Sequence, residues 1–292
     1  MKKQIKADLM LLLVTLSWGL SYYFVDRCLT ETSPLTLCML RFSIAFILLA
    51  LLGAHKMRSI SPATWKYSGL LAVCLFGVYL GATLAVQYTT LSNAAFLCSL
   101  TVLLVPLLEF LFWGRKPTAK MLVAFAACLI GIMLLTLQED FSINMDHLRG
   151  DLCAILCAVF YAFHLLVTDR ALQHRKADAF QLGILQLGGT GILMAVGAFS
   201  LDSPTFRFSP FVWAGILFLA VFCTGFAFLC QALAQRYTPP SHVGVIFSLE
   251  PVFAGLVAYG IAGEVYPPRA YVGMGLILFS VFLMEIPIKS SR

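Results

Sequence analysis

Residues 237–264 read YTPPSHVGVIFSLEPVFAGLVAYGIAGE and place a carboxylate, that of Glu250, inside an otherwise apolar helix. Counted from Pro240, Glu250 lies about 15 Å along the helix, which is mid-depth in a hydrocarbon layer about 30 Å thick. Pro251 follows at once and lacks the N–H that would bond the carbonyl of Phe247, so we expect the helix to be opened beside the acid. A charge at this depth is costly and predicts a functional role.

The composition is that of an integral membrane protein. Of 292 residues, 60% are hydrophobic and 12% are charged, whereas soluble domains are about half apolar and about a quarter charged. Apolar segments long enough to cross a bilayer are predicted at residues 9–25, 35–53, 67–86, 92–113, 120–138, 151–168, 179–199, 211–234, 241–262 and 269–287. We therefore expect an all-α protein of ten transmembrane helices in a lipid bilayer, without a soluble domain.

Basic residues are distributed unevenly between alternate loops. With the N-terminus placed inside, 15 lysines and arginines fall in cytoplasmic segments and 4 in external ones, and Arg41 within the membrane completes the 20. The positive-inside rule then predicts that both termini are cytoplasmic, and the net charge of +6 requires no nucleic-acid partner. The 9 cysteines include no CxxC pair and predict neither a disulfide framework nor a metal site.

The chain is predicted to be internally duplicated. Matches at an offset of 149 are Tyr88/Tyr237, Thr89/Thr238, Ser92/Ser241, Ser99/Ser248 and Leu100/Leu249, and matches at an offset of 143 are Asp8/Asp151, Asp26/Asp169, Arg27/Arg170 and Leu29/Leu172. We expect the first repeat at residues 1–140 and the second at residues 147–292. Five helices per repeat would put the second copy in the membrane upside down, as in secondary transporters whose site lies between inverted halves.

Four short motifs give the chain a family resemblance, and they are Ser17-Trp18-Gly19, Leu40-Arg41-Phe42, Ser248-Leu249-Glu250-Pro251 and Gly263-Glu264. With ten helices in two repeats, the chain resembles the drug/metabolite transporter superfamily, EamA type, over essentially its whole length. The resemblance implies an inner-membrane carrier of small metabolites, usually an exporter. The first half departs from the pattern, because Thr101 stands opposite Glu250, Pro106 is displaced, and Gly114-Arg115 replaces the terminal Gly-Glu.

Polar and aromatic side chains within the spans are the candidate site residues. Trp18 and Tyr22 share a helix face, and Trp18 lies too deep for an interfacial aromatic belt. Arg41 either holds a substrate anion or is structural, by snorkelling or in an ion pair. The predicted cavity residues are Trp18, Tyr22, Arg41, Tyr79, Phe96, Ser99, Tyr161, His164, Gln186, Phe228, Gln231, Ser248 and Glu250. Pro106 and Pro251 are the predicted helix breaks and are assigned to gating.

Two further features of the spans predict packing. Gly69, Gly77 and Gly81 belong to a stripe of small residues on the third span, which favours close approach of another helix. Glu109 is expected near the cytoplasmic end of the fourth span, paired with Lys116 seven residues on.

We expect a secondary carrier that works by alternating access without ATP, since the sequence has no GxxxxGK[ST] stretch. An amino acid or related amphipathic metabolite would place its carboxylate on Arg41 and its amine on Glu250. Export of organic cations or drugs is the alternative, with Glu250 and Trp18 holding the cation. A channel or receptor is the alternative of another class.

The remaining expectations concern chemistry and partners. The spans contain no GxSxG, HExxH or paired aspartates, so we expect no enzyme activity, and we expect no cofactor. Protons are the candidate coupling ion. The expected state is a monomer or weak dimer in the cell membrane.

Overall fold

The computed structural model describes residues 2–89, 96–136, 148–173, 177–257, 259–260 and 266–285. Over these residues the protein is a bundle of helices with one helix for each predicted span. They are α1 (Lys2–Cys28), α2 (Pro34–Leu52), α3 (Pro62–Tyr88), α4 (Thr101–Trp113, preceded by a single helical turn at 96–99), α5 (Ala119–Thr136), α6 (Leu148–Leu172), α7 (Ala179–Gly197), α8 (Pro210–Ala234), α9 (Pro240–Val257) and α10 (Pro268–Glu285).

The lengths and exposed surfaces of these helices fit a bilayer. Eight of the described helices have at least 18 residues and are apolar enough to cross a membrane, and α5 and α10 contribute shorter apolar helices, Ala119–Leu135 and Pro268–Met284. Large apolar side chains remain exposed on the outside of the bundle, including Leu52 at 77% and Phe282 at 68%. Apolar side chains on such a surface are stable in contact with lipid chains. The predicted all-α membrane fold is confirmed.

Three helices begin with the same local signal, a serine followed by a proline. The hydroxyls of Ser33, Ser61 and Ser209 accept hydrogen bonds from backbone N–H groups in the first turns of α2, α3 and α8. The proline that follows has no N–H to leave unsatisfied and a backbone already suited to a helix. The Ser-Pro pairs therefore define where these helices start.

The helices pack in a pattern that relates α1–α5 to α6–α10. α3 packs on α6 and α7, and its equivalent α8 packs on α1 and α2. α4 packs on α6 as α9 packs on α1, and the equivalent pairs α2/α7 and α5/α10 pack on each other. Exchange of the two sets of five leaves these pairs unchanged, as a two-fold axis between two repeats requires.

Glycines lie at the closest helix crossings. A Cβ at Gly81 of α3 would lie 2.9 Å from the carbonyl oxygen of Cys153 on α6. A Cβ at Gly131 of α5 would lie 2.7 Å from the carbonyl oxygen of Gly273 on α10, and the reverse distance is 2.5 Å. The packing role predicted for the α3 stripe is thus confirmed at Gly81, whereas a Cβ at Gly69 would meet no described atom within 4 Å.

Two helices are interrupted at equivalent positions, α4 at Leu100 and α9 at residues 248–249. The N–H of Leu249 bonds the carbonyl of Ile246 at 3.1 Å, and the N–H of Leu100 bonds that of Leu97 at 3.2 Å. Both bonds span three residues instead of four, so each helix tightens at its interruption. The two leucines are 149 residues apart, the offset of the sequence match.

The prolines relate differently to these interruptions. Pro251 is the second residue of the segment Glu250–Val257, so the break in α9 falls where its missing N–H predicts it. The break predicted at Pro106 is wrong, because α4 continues through that residue and is interrupted at Leu100 instead. One proline removes one backbone bond, and a membrane helix can accommodate that loss.

Candidate substrate-binding site

Aromatic rings from four helices meet around Trp18 of α1. The ring centroid of Trp18 lies 4.8 Å from that of Phe247 on α9, 5.7 Å from that of Phe228 on α8 and 6.2 Å from that of Tyr161 on α6. Tyr161 and Phe247 are stacked, with an interplanar angle of 2°. We call these four residues the aromatic cluster. It joins the first repeat to the second, because α1 belongs to one and the other three helices to the other.

Phe42 extends the aromatic cluster towards α3. Its ring is fully buried and lies 6.1 Å from that of Phe228 and 4.8 Å from that of Tyr79. The guanidinium carbon of Arg41 lies 5.2 Å from the centre of the Tyr79 ring, which is a cation–π contact. Arg41 thus borders the aromatic cluster through two rings of its own half.

Arg41 is 4% exposed, so its side chain is held inside the bundle and does not extend to the surface. Its Nε donates to the hydroxyl of Thr224 at 2.8 Å, and its Nη2 donates to the carbonyl oxygen of Cys223 at 3.4 Å. Both acceptors are neutral. They lie in the π-helical stretch Val221–Phe226 of α8, and such stretches are frequent at functional sites. A guanidinium has five N–H groups, so these two bonds leave others for a ligand.

The motif Ser17-Trp18-Gly19 fastens α1 to the second half. Trp18 donates its indole N–H to the carbonyl oxygen of Cys223 at 3.0 Å, and the thiol of Cys223 donates to the carbonyl oxygen of Ser17 at 3.1 Å. A Cβ at Gly19 would lie 2.5 Å from the Cβ of Phe253, so only glycine allows α9 this close to α1.

A buried polar network lies beside the aromatic cluster. Nε2 of His164 is 2.8 Å from Oε1 of Gln186, and Nδ1 is 3.4 Å from Nε2 of Gln231. These partners fit a neutral imidazole that donates from Nε2 and accepts at Nδ1. Gln231 continues to Gln235 at 3.2 Å, and Gln235 donates to the carbonyl oxygen of Leu165 at 3.1 Å. Helices α6, α7 and α8 are joined by this chain of bonds.

Two atoms in this region have no hydrogen-bond partner among the described residues, although both are buried. They are the hydroxyl of Tyr161 in the aromatic cluster and Oε1 of Gln231 in the polar network. Buried polar atoms are almost always hydrogen-bonded, to protein or to ordered water. These two atoms are therefore suitable contacts for a bound polar ligand or for the water that replaces it.

Glu250 begins the second segment of α9 and is half-buried. Its carboxylate lies within electrostatic range of Tyr79 and Tyr161. The positive end of the helix dipole at this position favours a negative charge. Arg41 contacts the same Tyr79, so the two charged residues lie in one region of the bundle.

The structure places the other predicted cavity residues less centrally. Phe96 is half-buried and packs on the hydrophobic core without a ring contact to the aromatic cluster among the described side chains. Ser99 is half-buried at the end of the helical turn 96–99, just before the interruption at Leu100. Ser248 donates its hydroxyl to the carbonyl oxygen of Val245 at 2.5 Å. The side chain of Tyr22 lies outside the described residues.

Glu109 is buried and has a different partner from the predicted one. Its carboxylate accepts a hydrogen bond from Ser241 of α9 and pairs with Nη1 of Arg115 at 3.2 Å. The predicted pairing with Lys116 assumed that the helix continues for two turns. Instead α4 ends before Gly114, whose left-handed φ of 64° turns the chain and brings Arg115 back.

Four residues of this site were missed in the sequence. Phe42 and Phe247 are apolar, so the sequence suggests only that they pack in the core. The helical spacing of apolar residues does not distinguish an aromatic residue of a site from one that only packs. Cys223 and Gln235 act through a backbone carbonyl and an amide whose partners lie on other helices. The available signal was the density of polar residues on α8 and at its end, where Thr224, Gln231 and Gln235 follow in the sequence.

Several proteins with similar sequences are named as transporters. The EamA-like transporter family model matches residues 5–137 and 148–286. An uncharacterized transporter of Archaeoglobus fulgidus is 29% identical over 97% of this chain and 87% of its own length. YedA of Escherichia coli K12, named an uncharacterized inner membrane transporter, is 23% identical over 92% of this chain and 87% of its own. A protein of known crystal structure, 18% identical, has the same fold, with a TM-score of 0.84 over 96% of both chains.

Proposed function

The chain belongs to the EamA-like transporter family, and from this we propose that it is a secondary carrier of an amphipathic amino acid or a related small metabolite. It would work by alternating access without ATP, and it would export its substrate. The observation that carries the proposal is the aromatic cluster at the junction of two repeats, which has the buried cation of Arg41 beside it and the carboxylate of Glu250 within electrostatic range of Tyr79 and Tyr161.

Each part of such a substrate has a matching group. A carboxylate can bind the N–H groups of Arg41 that its bonds to α8 leave over, and planar guanidinium groups suit carboxylates. An amine can bind Glu250. The apolar part can lie against the rings of Tyr161 and Phe247, while the Tyr161 hydroxyl offers a further polar contact.

A bare organic cation fits this arrangement less well. The buried charge of Arg41 lies close to Tyr79 and Phe42 and would repel it. Trp18, the residue expected to hold a cation, already gives its N–H to Cys223 and has three aromatic rings around it. Cation efflux is accordingly an outcome that the test below separates from amino-acid transport.

The membrane setting of the proposal follows from charge and from a relative. The excess of basic residues in alternate segments, 15 against 4, supports cytoplasmic positions for both termini. The name of the YedA relative supports an inner membrane. We further propose a repeat boundary between residues 140 and 147, coupling to protons, and a monomer or weak dimer.

Counterflow in vesicles tests the carrier proposal and the substrate class together. Purified protein, reconstituted with an aromatic amino acid inside, should drive uptake of the labelled amino acid, and this uptake should saturate. An unsaturable flux would instead indicate a channel. A panel of amino acids, each beside the amine that lacks only its carboxylate, identifies the preferred substrate.

The variant Arg41→Met then distinguishes amino-acid transport from efflux of organic cations. It should abolish counterflow of the amino acid and leave binding of the matched amine, because only the carboxylate loses its partner. Arg207→Met, at an exposed arginine between α7 and α8, is the matched control and should behave as wild type. Transport of the amine in preference to the amino acid, unchanged in Arg41→Met, would replace the proposal with cation efflux.

A further inference from the structure

A cavity of about 330 Å³ opens at the N-terminal end of α1, away from the aromatic cluster. It lies between α1 and the turn that connects α8 to α9. Lys3, Lys6 and Arg236 provide its charged lining, and Met10 and Leu233 belong to its apolar wall. Lys6 precedes Trp18 by twelve residues, about 18 Å along the helix, so this cavity is separate from the candidate substrate site.

The charge in this cavity is predominantly positive. Lys3 and Lys6 are exposed, and Nζ of Lys3 lies 5.9 Å from the centre of the Tyr237 ring, across the cavity from α1. Arg236 pairs with Asp178 at 3.4 Å between exposed side chains, which neutralises one of the three cations. A net positive charge remains and favours an anionic ligand.

The cavity also lies at the boundary between water and hydrocarbon. Charged residues stand at positions 2, 3, 6 and 8, and the sequence of α1 from Leu9 to Val25 contains none. Lysines at this level extend their ammonium groups to the lipid phosphates. Met10 lies one turn further along α1 than Lys6, and Leu233 lies three residues before Arg236 in α8, so both belong to the apolar stretches of their helices. Basic pockets between transmembrane helices recognise anionic lipid headgroups in this way.

We propose that this cavity binds an anionic phospholipid. Its phosphate would lie between Lys3, Lys6 and Arg236, and the first part of an acyl chain would lie along Met10 and Leu233. The combination of a cationic end and an apolar wall selects a lipid over a free phosphate, which has no use for the wall.

The proposed site spans a contact between the two halves. Asp8 follows Lys6 by two residues and accepts a hydrogen bond from the hydroxyl of Thr238 at 2.7 Å, and Thr238 follows Tyr237. A lipid held by both sides of the cavity therefore joins the same two segments as this hydrogen bond. A ligand that binds one conformation preferentially stabilises it, so the lipid would favour the state in which α1 and the α8–α9 turn are together.

Thermal unfolding of the purified protein in a neutral detergent tests the site without any transport measurement. We expect phosphatidylglycerol to raise the melting temperature by several degrees, and phosphatidylcholine and soluble glycerol phosphate to leave it unchanged. The double variant Lys3→Gln/Lys6→Gln should lose most of this shift, and each single variant part of it. Both lysines are exposed, so the variants should melt like wild type without lipid.

The matched control is Arg58→Gln/Lys66→Gln, which removes the same charge from two exposed positions, one before α3 and one in its second turn. It should keep the full shift. An equal loss in the control would show that the lipid responds only to overall charge, and an undiminished shift in Lys3→Gln/Lys6→Gln would remove the cavity from lipid binding. A shift with glycerol phosphate equal to that with phosphatidylglycerol would identify a free phosphate as the ligand. Each of these results would overturn the proposal and leave the carrier function untouched.

Discussion

Trp18 and Arg41 donate hydrogen bonds to one atom, the backbone carbonyl oxygen of Cys223, at 3.0 and 3.4 Å. The two donors come from α1 and α2 of the first half, and the acceptor lies in the π-helical stretch of α8 in the second. An aromatic residue and a buried cation are thereby fixed to the same short segment. A movement of α8 relative to α1 and α2 would displace both.

Thr224 holds Arg41 beside this carbonyl, and Thr224→Val removes its hydroxyl without changing its shape. The variant leaves one N–H of a buried cation without its partner, so the free energy of unfolding should fall by about 1–2 kcal/mol. If the displaced Arg41 binds substrate about 1.4 kcal/mol more weakly, the substrate concentration for half-saturation should rise about ten-fold. Melting temperature and counterflow measure the two effects.

Thr224→Ser keeps the hydroxyl and is the matched control. Its melting temperature and its substrate concentration for half-saturation should both be close to those of wild type, because its hydroxyl can still accept the hydrogen bond from Arg41. If Thr224→Val and Thr224→Ser behave alike, the methyl group and not the hydrogen bond determines the result, and the positioning role of Thr224 is wrong.

Glu250→Gln tests whether the charge in α9 is needed for energy coupling. The amide has the size of the carboxylate, so the helix break and the fold should persist, while the negative charge and the proton it could carry are lost. We expect substrate exchange to continue at a higher substrate concentration for half-saturation, because the amine loses its charged partner, and accumulation driven by a pH gradient to fall to equilibrium. Glu31→Gln, the same change at an exposed acid between α1 and α2, should keep accumulation. Full accumulation in Glu250→Gln would exclude Glu250 from coupling.

The sequence predicted the parts of this protein that depend on composition and on single residues. The thickness of the hydrocarbon layer determines the length of each span. The missing N–H of Pro251 predicts a break in α9 beside that residue. The break at Leu100 could not be predicted in this way, because no proline lies next to it. It occurs where the helix tightens between Leu97 and Leu100. No sequence pattern predicted the π-helical stretch of α8, whose carbonyl at Cys223 accepts bonds from side chains of α1 and α2.

Side-chain partners were harder to predict than helices. The pairing of Glu109 depended on where α4 ends, and a left-handed glycine changed the partner by one residue. The sequence placed Arg41 and Glu250 in the same membrane but gave no acceptor for Arg41. That acceptor is neutral and comes from the other half, which a pattern of charges along one chain does not reveal.

Stability at acid pH should depend on Glu31, which lies outside the spans and accepts a hydrogen bond from the N–H of Ser209 at 2.7 Å. The Ser209 amide, with its hydroxyl, lowers the pKa of Glu31 below its usual value of 4.5. A lowered folded-state pKa means that the contribution is present above the usual pKa and is lost as the pH falls through the folded value. Wild type should therefore melt higher than Glu31→Gln at neutral pH, and the difference should vanish in acid. A difference that is constant with pH would contradict this.

Two hydrogen bonds between aspartate and threonine lie at equivalent positions of the repeats. Thr238 donates to Asp8 at 2.7 Å, and Thr89 donates to Asp151 at 2.6 Å. Each joins the first helix of one half to the chain segment before the fourth helix of the other. Five spans separate Asp8 from Asp151, so the two bonds lie at opposite membrane faces. Both are formed in this structure.

If the carrier alternates between two open states, each bond must break when its own face opens, so Thr238→Val and Thr89→Val should have opposite effects. Loss of a bond of about 1 kcal/mol shifts the equilibrium about five-fold towards the state open at that face. The substrate concentration that gives half-maximal uptake can be measured in right-side-out and in inside-out vesicles. It should decrease at one membrane face in Thr238→Val and at the opposite face in Thr89→Val. The matched variants Thr238→Ser and Thr89→Ser keep the hydroxyl and should resemble wild type. Equal shifts on both sides in each valine variant would mean that the two bonds only stabilise the fold and take no part in opening.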